Sequence, residues 1–259
     1  MKKKEIIKIN NLSFKYPNSE NLVLNNISIN IYENDFICLL GKNGSGKTTL
    51  AKLISGNLIQ SENNILVYNK LIKEYSKKDL SKIISYLPQN LPENIPFSVI
   101  KIILMGRYPY KNIFENYNLG DISISKKYLK LLDLEILENK NFDDLSGGEK
   151  RRVLLAQTLV SESNIIILDE PEAFIDIPHK ISLYESLKYF NEKLNKTIIV
   201  ISHDLNLALK YSKRLIFLSN NKVYFDISEK DKIDKNIIKT IFDIDVNILK
   251  INNNPYIIY

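Results

Sequence analysis

Cysteine is nearly absent from this 259-residue chain: the one thiol, Cys38, excludes an internal disulfide and a multi-cysteine metal site. Nothing therefore ties the chain to an oxidising compartment, and Cys38 is expected as a small buried apolar residue on a strand over Phe36 to Leu40. Long apolar runs are missing too. No stretch approaches the roughly 18 uninterrupted apolar residues of a membrane helix, and Met1-Lys2-Lys3-Lys4-Glu5 leads into no apolar signal core. The protein is expected to stay in the cytosol. No internal repeat and no linker rich in Pro, Gly or Ser interrupts the chain, which argues against two independent domains and for one domain over 1–259. Basic clusters are equally scarce: the net charge is +6, but Lys is dispersed among Asn and Ile, and only Lys2 to Lys4 forms a run, expected as a solvated tail. Such dispersed charge is compositional bias and implies no nucleic-acid partner.

What is present is enough apolar side chain, 44%, for an ordinary core. Glu5 to Ile9, Leu12 to Tyr16 and Ile27 to Ile31 predict antiparallel strands. Phe36 to Leu40 then runs into a glycine-rich turn and a helix over Thr48 to Ile54. Ile165 to Leu168 and Thr197 to Ile201 are apolar without alternation, so both faces of those strands must be covered, as in a parallel sheet flanked by helices. Between Gln89 and Asp144 the pattern is mostly helical, best over Val99 to Met105 and Ile124 to Leu137, which predicts a helical insertion at about 90–145. Arg214 to Ser219 and Lys222 to Asp226 flank Asn220-Asn221 as a hairpin. A helix over Lys235 to Phe242 and strands over Val246 to Ile251 and Tyr256 to Tyr259 make a C-terminal extension at about 228–259.

Gly41-Lys42-Asn43-Gly44-Ser45-Gly46-Lys47-Thr48 fits the G-x-x-x-x-G-K-[ST] pattern between a strand and a helix. Glycines let backbone N–H groups turn inward onto phosphate oxygens, and the helix start adds partial positive charge. Lys47 is expected on the β- and γ-phosphates of ATP, the Thr48 hydroxyl on Mg²⁺, with Thr49 beside them. Ile165 to Leu168 delivers Asp169-Glu170 to the carboxyl edge of the sheet, where ligands bind in open α/β folds. Asp169 is the candidate for the Mg²⁺ shell and Glu170 for orienting and deprotonating the attacking water, while Pro171 ends the strand.

Leu145-Ser146-Gly147-Gly148-Glu149 opens an amphipathic stretch over Lys150 to Val160 just before that acidic strand. A serine and two glycines at a helix start make a second anion-binding surface. Here the sequence resembles the signature of ATP-binding cassette (ABC) proteins, usually written LSGGQ, with Glu149 in the Gln position. The resemblance implies a P-loop NTPase core with a mainly parallel sheet, an N-terminal antiparallel β subdomain and an inserted helical subdomain: an α/β fold. It also implies a homodimer in which two copies pair head to tail, each signature capping the γ-phosphate held on the partner's loop. Residue by residue, Tyr16 in Phe14-Lys15-Tyr16-Pro17 resembles the aromatic that stacks on adenine, and Gln89 in Leu87-Pro88-Gln89 the glutamine that touches Mg²⁺ and water. His203 resembles the switch histidine at the γ-phosphate, and Asp176 the aspartate closing the loop after the acidic pair. In that loop Glu172 and Phe174 depart from the family's small polar residues.

Met105-Gly106-Arg107-Tyr108-Pro109-Tyr110, Asp176-Ile177-Pro178-His179, His203 to Ala208 and Ile241 to Val246 resemble the importer subgroup serving iron–siderophore, haem and cobalamin uptake. The resemblance thus implies an ATPase on the cytoplasmic face of the membrane, working with integral membrane permease subunits and, indirectly, an extracytoplasmic substrate-binding protein. Arg107 and its neighbours are expected near the joint with the permease. The competing expectation is a cassette ATPase acting on nucleic acid or in cluster assembly.

Overall fold

The computed structural model describes residues 4–17, 19–59, 64–112, 115–251 and 254–259. Of the expected Lys2 to Lys4 tail, only Lys4 falls within them. The chain opens with β1 (Glu5–Phe14), β2 (Leu24–Tyr32), β3 (Phe36–Leu40), α1 (Lys47–Ile54), β4 (Ile65–Val67) and β5 (Lys70–Leu71). It continues through α2 (Lys77–Ile83), β6 (Ile84–Leu87), α3 (Val99–Met105), α4 (Leu119–Leu131), α5 (Gly147–Leu159) and β7 (Ile165–Asp169). Then follow α6 (Ile177–Lys193), β8 (Thr197–Ile201), α7 (Leu205–Tyr211), β9 (Arg214–Ser219), β10 (Lys222–Ile227), α8 (Lys235–Phe242), β11 (Asn247–Ile251) and β12 (Asn254–Ile258).

The central six-stranded sheet has the order β10-β9-β3-β8-β7-β6, parallel except where β10 folds back on β9. A four-stranded antiparallel sheet, β2-β1-β4-β5, covers one side. The unalternating strands behave as expected of buried parallel strands. Phe36, Cys38 and Leu40 of β3 face the core shared with the helical insertion, α6 and α7, whereas Ile37 and Leu39 face the core beneath α1 and the antiparallel sheet. Cys38 is fully buried, which pushes its thiol pKa up to about 12 and leaves it an inert core residue.

Two elements, β1 and α4, differ most from expectation. β1 is a single strand, because Asn11 takes a left-handed φ of 47° at a register shift between Ile9 and Leu12, a bulge that carries pairing past the polar Asn10-Asn11 step. It stops at Phe14, so Tyr16 lies beyond the strand. The second helix of the insertion begins at Leu119, not Ile124, since Asn118 and Asp121 form a reciprocal capping box, and it ends before Asp133, whose φ is 53°. Among the described residues no helix is long and apolar enough to cross a membrane.

Candidate functional site

Parallel strands align their carboxyl ends, and the loops leaving those ends carry the candidate residues: Gly41 to Thr48 after β3, Gln89 after β6, Glu170 after β7 and His203 after β8. They meet around a cleft of about 410 Å³ walled by Asn43 to Thr49, Gln89, Glu170 and His203, with Val23 from the antiparallel layer. Residues up to 180 positions apart thus share one space because the fold brings them there.

The cleft floor suits an anion. Gly46 caps α1 in the left-handed region at φ 97°, with no side chain on the first N–H groups and no acid in the first turn. The helices beginning at Lys77, Leu119, Gly147, Ile177, Leu205 and Lys235 instead carry a side-chain acceptor at that position. The start of α1 is therefore free to hold phosphate oxygens. A Cβ on Gly46 would sit 2.6 Å from Leu24 and 2.7 Å from the Val23 carbonyl, so only glycine fits. The Lys47 ammonium is buried and donates to the carbonyls of Gly41 (2.7 Å) and Lys42 (2.9 Å). Burial lowers its pKa, opposed by the charges of Glu170 and Asp169. Among the described residues the buried Ser45 hydroxyl has no hydrogen-bond partner, and a phosphate oxygen would satisfy it.

Asp169 lies under this floor, fully buried. Thr48 donates to its Oδ1 and Tyr86 to its Oδ2, each at 3.2 Å. Burial raises the Asp169 pKa against those two bonds. Among the described residues no three His, Cys, Asp or Glu side chains cluster as a metal cage. A carboxylate, a hydroxyl and the nearby Gln89 amide are all hard oxygen donors, too few to hold an ion alone but suited to Mg²⁺ completed by phosphate and water. Glu170 leaves β7 with φ 50°, an uncommon backbone state for glutamate, held by its own N–H on the Ile201 carbonyl at 3.0 Å. Its Oε1 is 2.9 Å from His203 Nε2. Tyr16 stands half-open beside the cleft, edge-on to Phe14, with its hydroxyl 3.2 Å from the Thr49 hydroxyl.

Ser146, Gly147, Gly148, Glu149 and Asp176 occupy a different cleft, about 460 Å³, which shares no lining residue with the first. There Ser146 caps α5, accepting from the Glu149 N–H, while its own N–H and hydroxyl donate to the Glu149 carboxylate, both at 2.8 Å. These bonds hold the Glu149 carboxyl below the usual range and turn it back onto the helix start. Phe174, at φ 64° and largely exposed, closes over the glycines: a Cβ on Gly148 would lie 3.0 Å from its carbonyl. Asp176 caps α6 and accepts from the His179 N–H at 3.2 Å.

The profile of the ABC transporter family matches residues 24–173, which span the phosphate loop, Gln89, the Ser146 helix and Glu170. The chain belongs to this ABC transporter family. It is 34% identical over 241 residues to the petrobactin import ATP-binding protein FpuC of Bacillus anthracis, covering 93% of this chain and 89% of that one. It is 30% identical over 227 residues to the achromobactin transport ATP-binding protein CbrD of Dickeya dadantii, covering 88% and 84%. Its fold matches an ABC transporter solved in an inward-facing conformation, at TM-score 0.82 and 22% identity over 99% of this chain and 98% of the other. The ATP-binding cassette MJ0796, solved as a dimer in a post-hydrolysis state with ADP and Pi, matches at TM-score 0.77 and 26% identity, over 86% of this chain and 98% of that one. As an ABC ATPase, the chain binds nucleotide and hydrolyses ATP.

Three side chains of this ABC site went unread in the sequence. Tyr86 grips Asp169, Arg151 donates to the Gln89 and Glu170 carbonyls, and Glu172 accepts from Ser202 beside His203. Only Glu172 left a trace, as a departure from the family pattern. Arg107 is expected, with its neighbours, near the joint with the permease. Its guanidinium turns inward, to Asp121 at 3.1 Å and the Val160 carbonyl at 3.0 Å, where Lys111 also meets Asp121. Its neighbours Met105, Gly106, Tyr108 and Pro109 instead line a groove of about 320 Å³ against Ser55, Ser85 and Tyr86 of the core.

Proposed function

We propose that this ABC ATPase energises import of a metal chelate of the iron–siderophore, haem or cobalamin type, working as a homodimer on the cytoplasmic face of the membrane beneath integral permease subunits. An extracytoplasmic binding protein would act on it only through those subunits. The observation that carries the dimer is the separation of the two clefts: the Ser146 surface shares no wall with the phosphate loop of its own chain and is open to another copy. Relatives named for petrobactin and achromobactin favour a ferric siderophore as cargo.

In this reading residues 1–259 act as one unit, with the helical insertion at about 90–145 and an extension at about 228–259. Lys47 and the N–H groups at the start of α1 bind the β- and γ-phosphates, and Tyr16 packs on adenine. Thr48, Asp169 and Gln89 would hold Mg²⁺, which supplies charge neutralisation on the phosphate oxygens. Glu170 orients the attacking water and takes its proton, while His203 contacts the γ-phosphate and steadies Glu170. Ser146, Gly147 and Gly148 of a second copy cap the same phosphate, and Asp176 belongs to the loop between the two copies. The groove beside Met105 and Tyr86 receives the permease.

The test is reconstitution with the permease that copurifies in detergent. ATP hydrolysis should rise when a binding protein loaded with ferric siderophore is added. Stimulation by cobalamin or haem alone would move the cargo within the class, and DNA-stimulated hydrolysis with no permease partner would overturn the transport reading.

A further inference from the structure

Arg151 sits one turn into α5, fully buried, and every hydrogen bond its guanidinium makes among the described residues ends on a backbone carbonyl. Nη1 donates to Pro88 (2.5 Å) and Gln89 (3.1 Å). Nη2 donates to Asp169 and to Glu170 (2.7 Å), and Nε to Pro171 (3.4 Å). One side chain therefore fastens the loop after β6 to the exit of β7.

The backbone cannot do this itself. Pairing of β6 with β7 stops at Leu87 and Leu168. Pro88 and Pro171 have no N–H, and the Glu170 N–H is committed to Ile201 on the other side. The two loops thus present a row of carbonyls with few donors between them. A guanidinium offers five N–H groups in a fixed planar fork, and an ammonium cannot span the same row. Asp169, Glu170 and Glu172 supply the negative charge that offsets burying the cation. Because Arg151 is carried by the helix that begins just after Ser146, the same fork ties the second cleft to the first.

We propose that Arg151 is the positioning residue that locks the Gln89 loop, the Glu170 loop and the Ser146-bearing helix into one unit. Hydrolytic geometry in one half-site then moves together with the surface offered to a second copy. This rests on the proposed roles of the phosphate loop, Gln89 and Glu170.

The test uses the full chain with Arg151→Lys and Arg151→Gln, each able to satisfy one loop but not both. Nucleotide affinity, melting temperature and steady-state ATP hydrolysis are measured, with kcat normalised to nucleotide-binding sites. We expect affinity within about threefold of wild type, KM little changed, and kcat lower by at least about tenfold, a loss confined to the transition state. Wild-type kcat per binding site in either variant, whatever its melting temperature, would overturn the proposal. Failure of both variants to fold would assign Arg151 to stability alone and overturn it equally. Lys47→Ala separates the two levels: undiminished ATP binding by that variant would sink the phosphate-loop reading itself.

Discussion

Nε2 of His203 lies 2.9 Å from Oε1 of Glu170, and the residue before the histidine, Ser202, donates its hydroxyl to Glu172 at 2.5 Å. The loops leaving β7 and β8 are thus joined twice, once at the surface of the cleft and once beneath it. Glu170→Gln and His203→Ala should both bind ATP normally and lose hydrolysis by about 10²–10⁴-fold, the usual worth of a positioned base and its partner. Phosphate release and gel filtration in MgATP check this, with Glu170→Gln accumulating as a dimer. Normal turnover in Glu170→Gln would remove it from the proton-transfer role.

Separation of the two clefts makes a complementation experiment decisive. Lys47→Ala and Ser146→Arg should each be inactive alone, the first because the buried ammonium is lost and the second because the α5 start is blocked. Mixed in equal amounts, half the dimers carry one intact composite site, so about a quarter of wild-type hydrolysis should return if pairing is two-fold symmetric. No recovery on mixing would count against a site shared between copies.

Burial pushes the Glu172 carboxyl above its ordinary range, against the bond from Ser202 that lowers it. The native state therefore keeps this proton to higher pH than the unfolded chain, whose glutamates titrate near about 4.3. Between that value and the raised native one, folding binds protons, so stability falls as pH rises through the window and stays lower above it. Glu172→Gln removes the penalty. Its urea midpoint at neutral pH should exceed wild type, and its decline with rising pH should be shallower. An unchanged pH profile would mean that Glu172 is not held above its ordinary range.

Gly106 has ordinary helical φ and ψ, yet a Cβ there would fall 2.0 Å from the Gln157 carbonyl and 2.4 Å from Val160. The glycine is required by the close approach of α3 to α5. Gly106→Ala should destabilise the protein by about 1–3 kcal/mol through overpacking. ATP binding at the phosphate loop should persist, which calorimetry and a urea melt would separate. Wild-type stability would show that the two helices separate freely.

Features legible in the sequence are those whose causes are local. The run Gly41 to Thr48 carries its own turn glycines and lysine, the buried strands announce themselves by missing alternation, and Ser146 with Glu149 three residues later is a capping pattern. Even so, the apolar period places the start of this helix at Ile124, whereas the Asn118–Asp121 capping box starts α4 at Leu119.

The family resemblance supplied Gln89 and His203, which no local pattern marks. Only the tertiary structure decided what surrounds them. Tyr86 reaches Asp169 across 83 positions, Arg151 reaches Gln89 across 62, and Ser202 reaches Glu172 across 30. A tyrosine on a strand, an arginine in a charged helix and an acid in a loop are ordinary in composition. Their roles arise when a parallel sheet aligns the ends of β3, β6, β7 and β8 and sets the loops after β6 and β7 side by side, where Arg151 donates to their carbonyls. The sequence determined the phosphate-loop pattern at Gly41 to Thr48, its turn glycines and its lysine. That one buried guanidinium braces the Gln89 and Glu170 loops from beneath follows from backbone carbonyls that come side by side only once the strands have assembled.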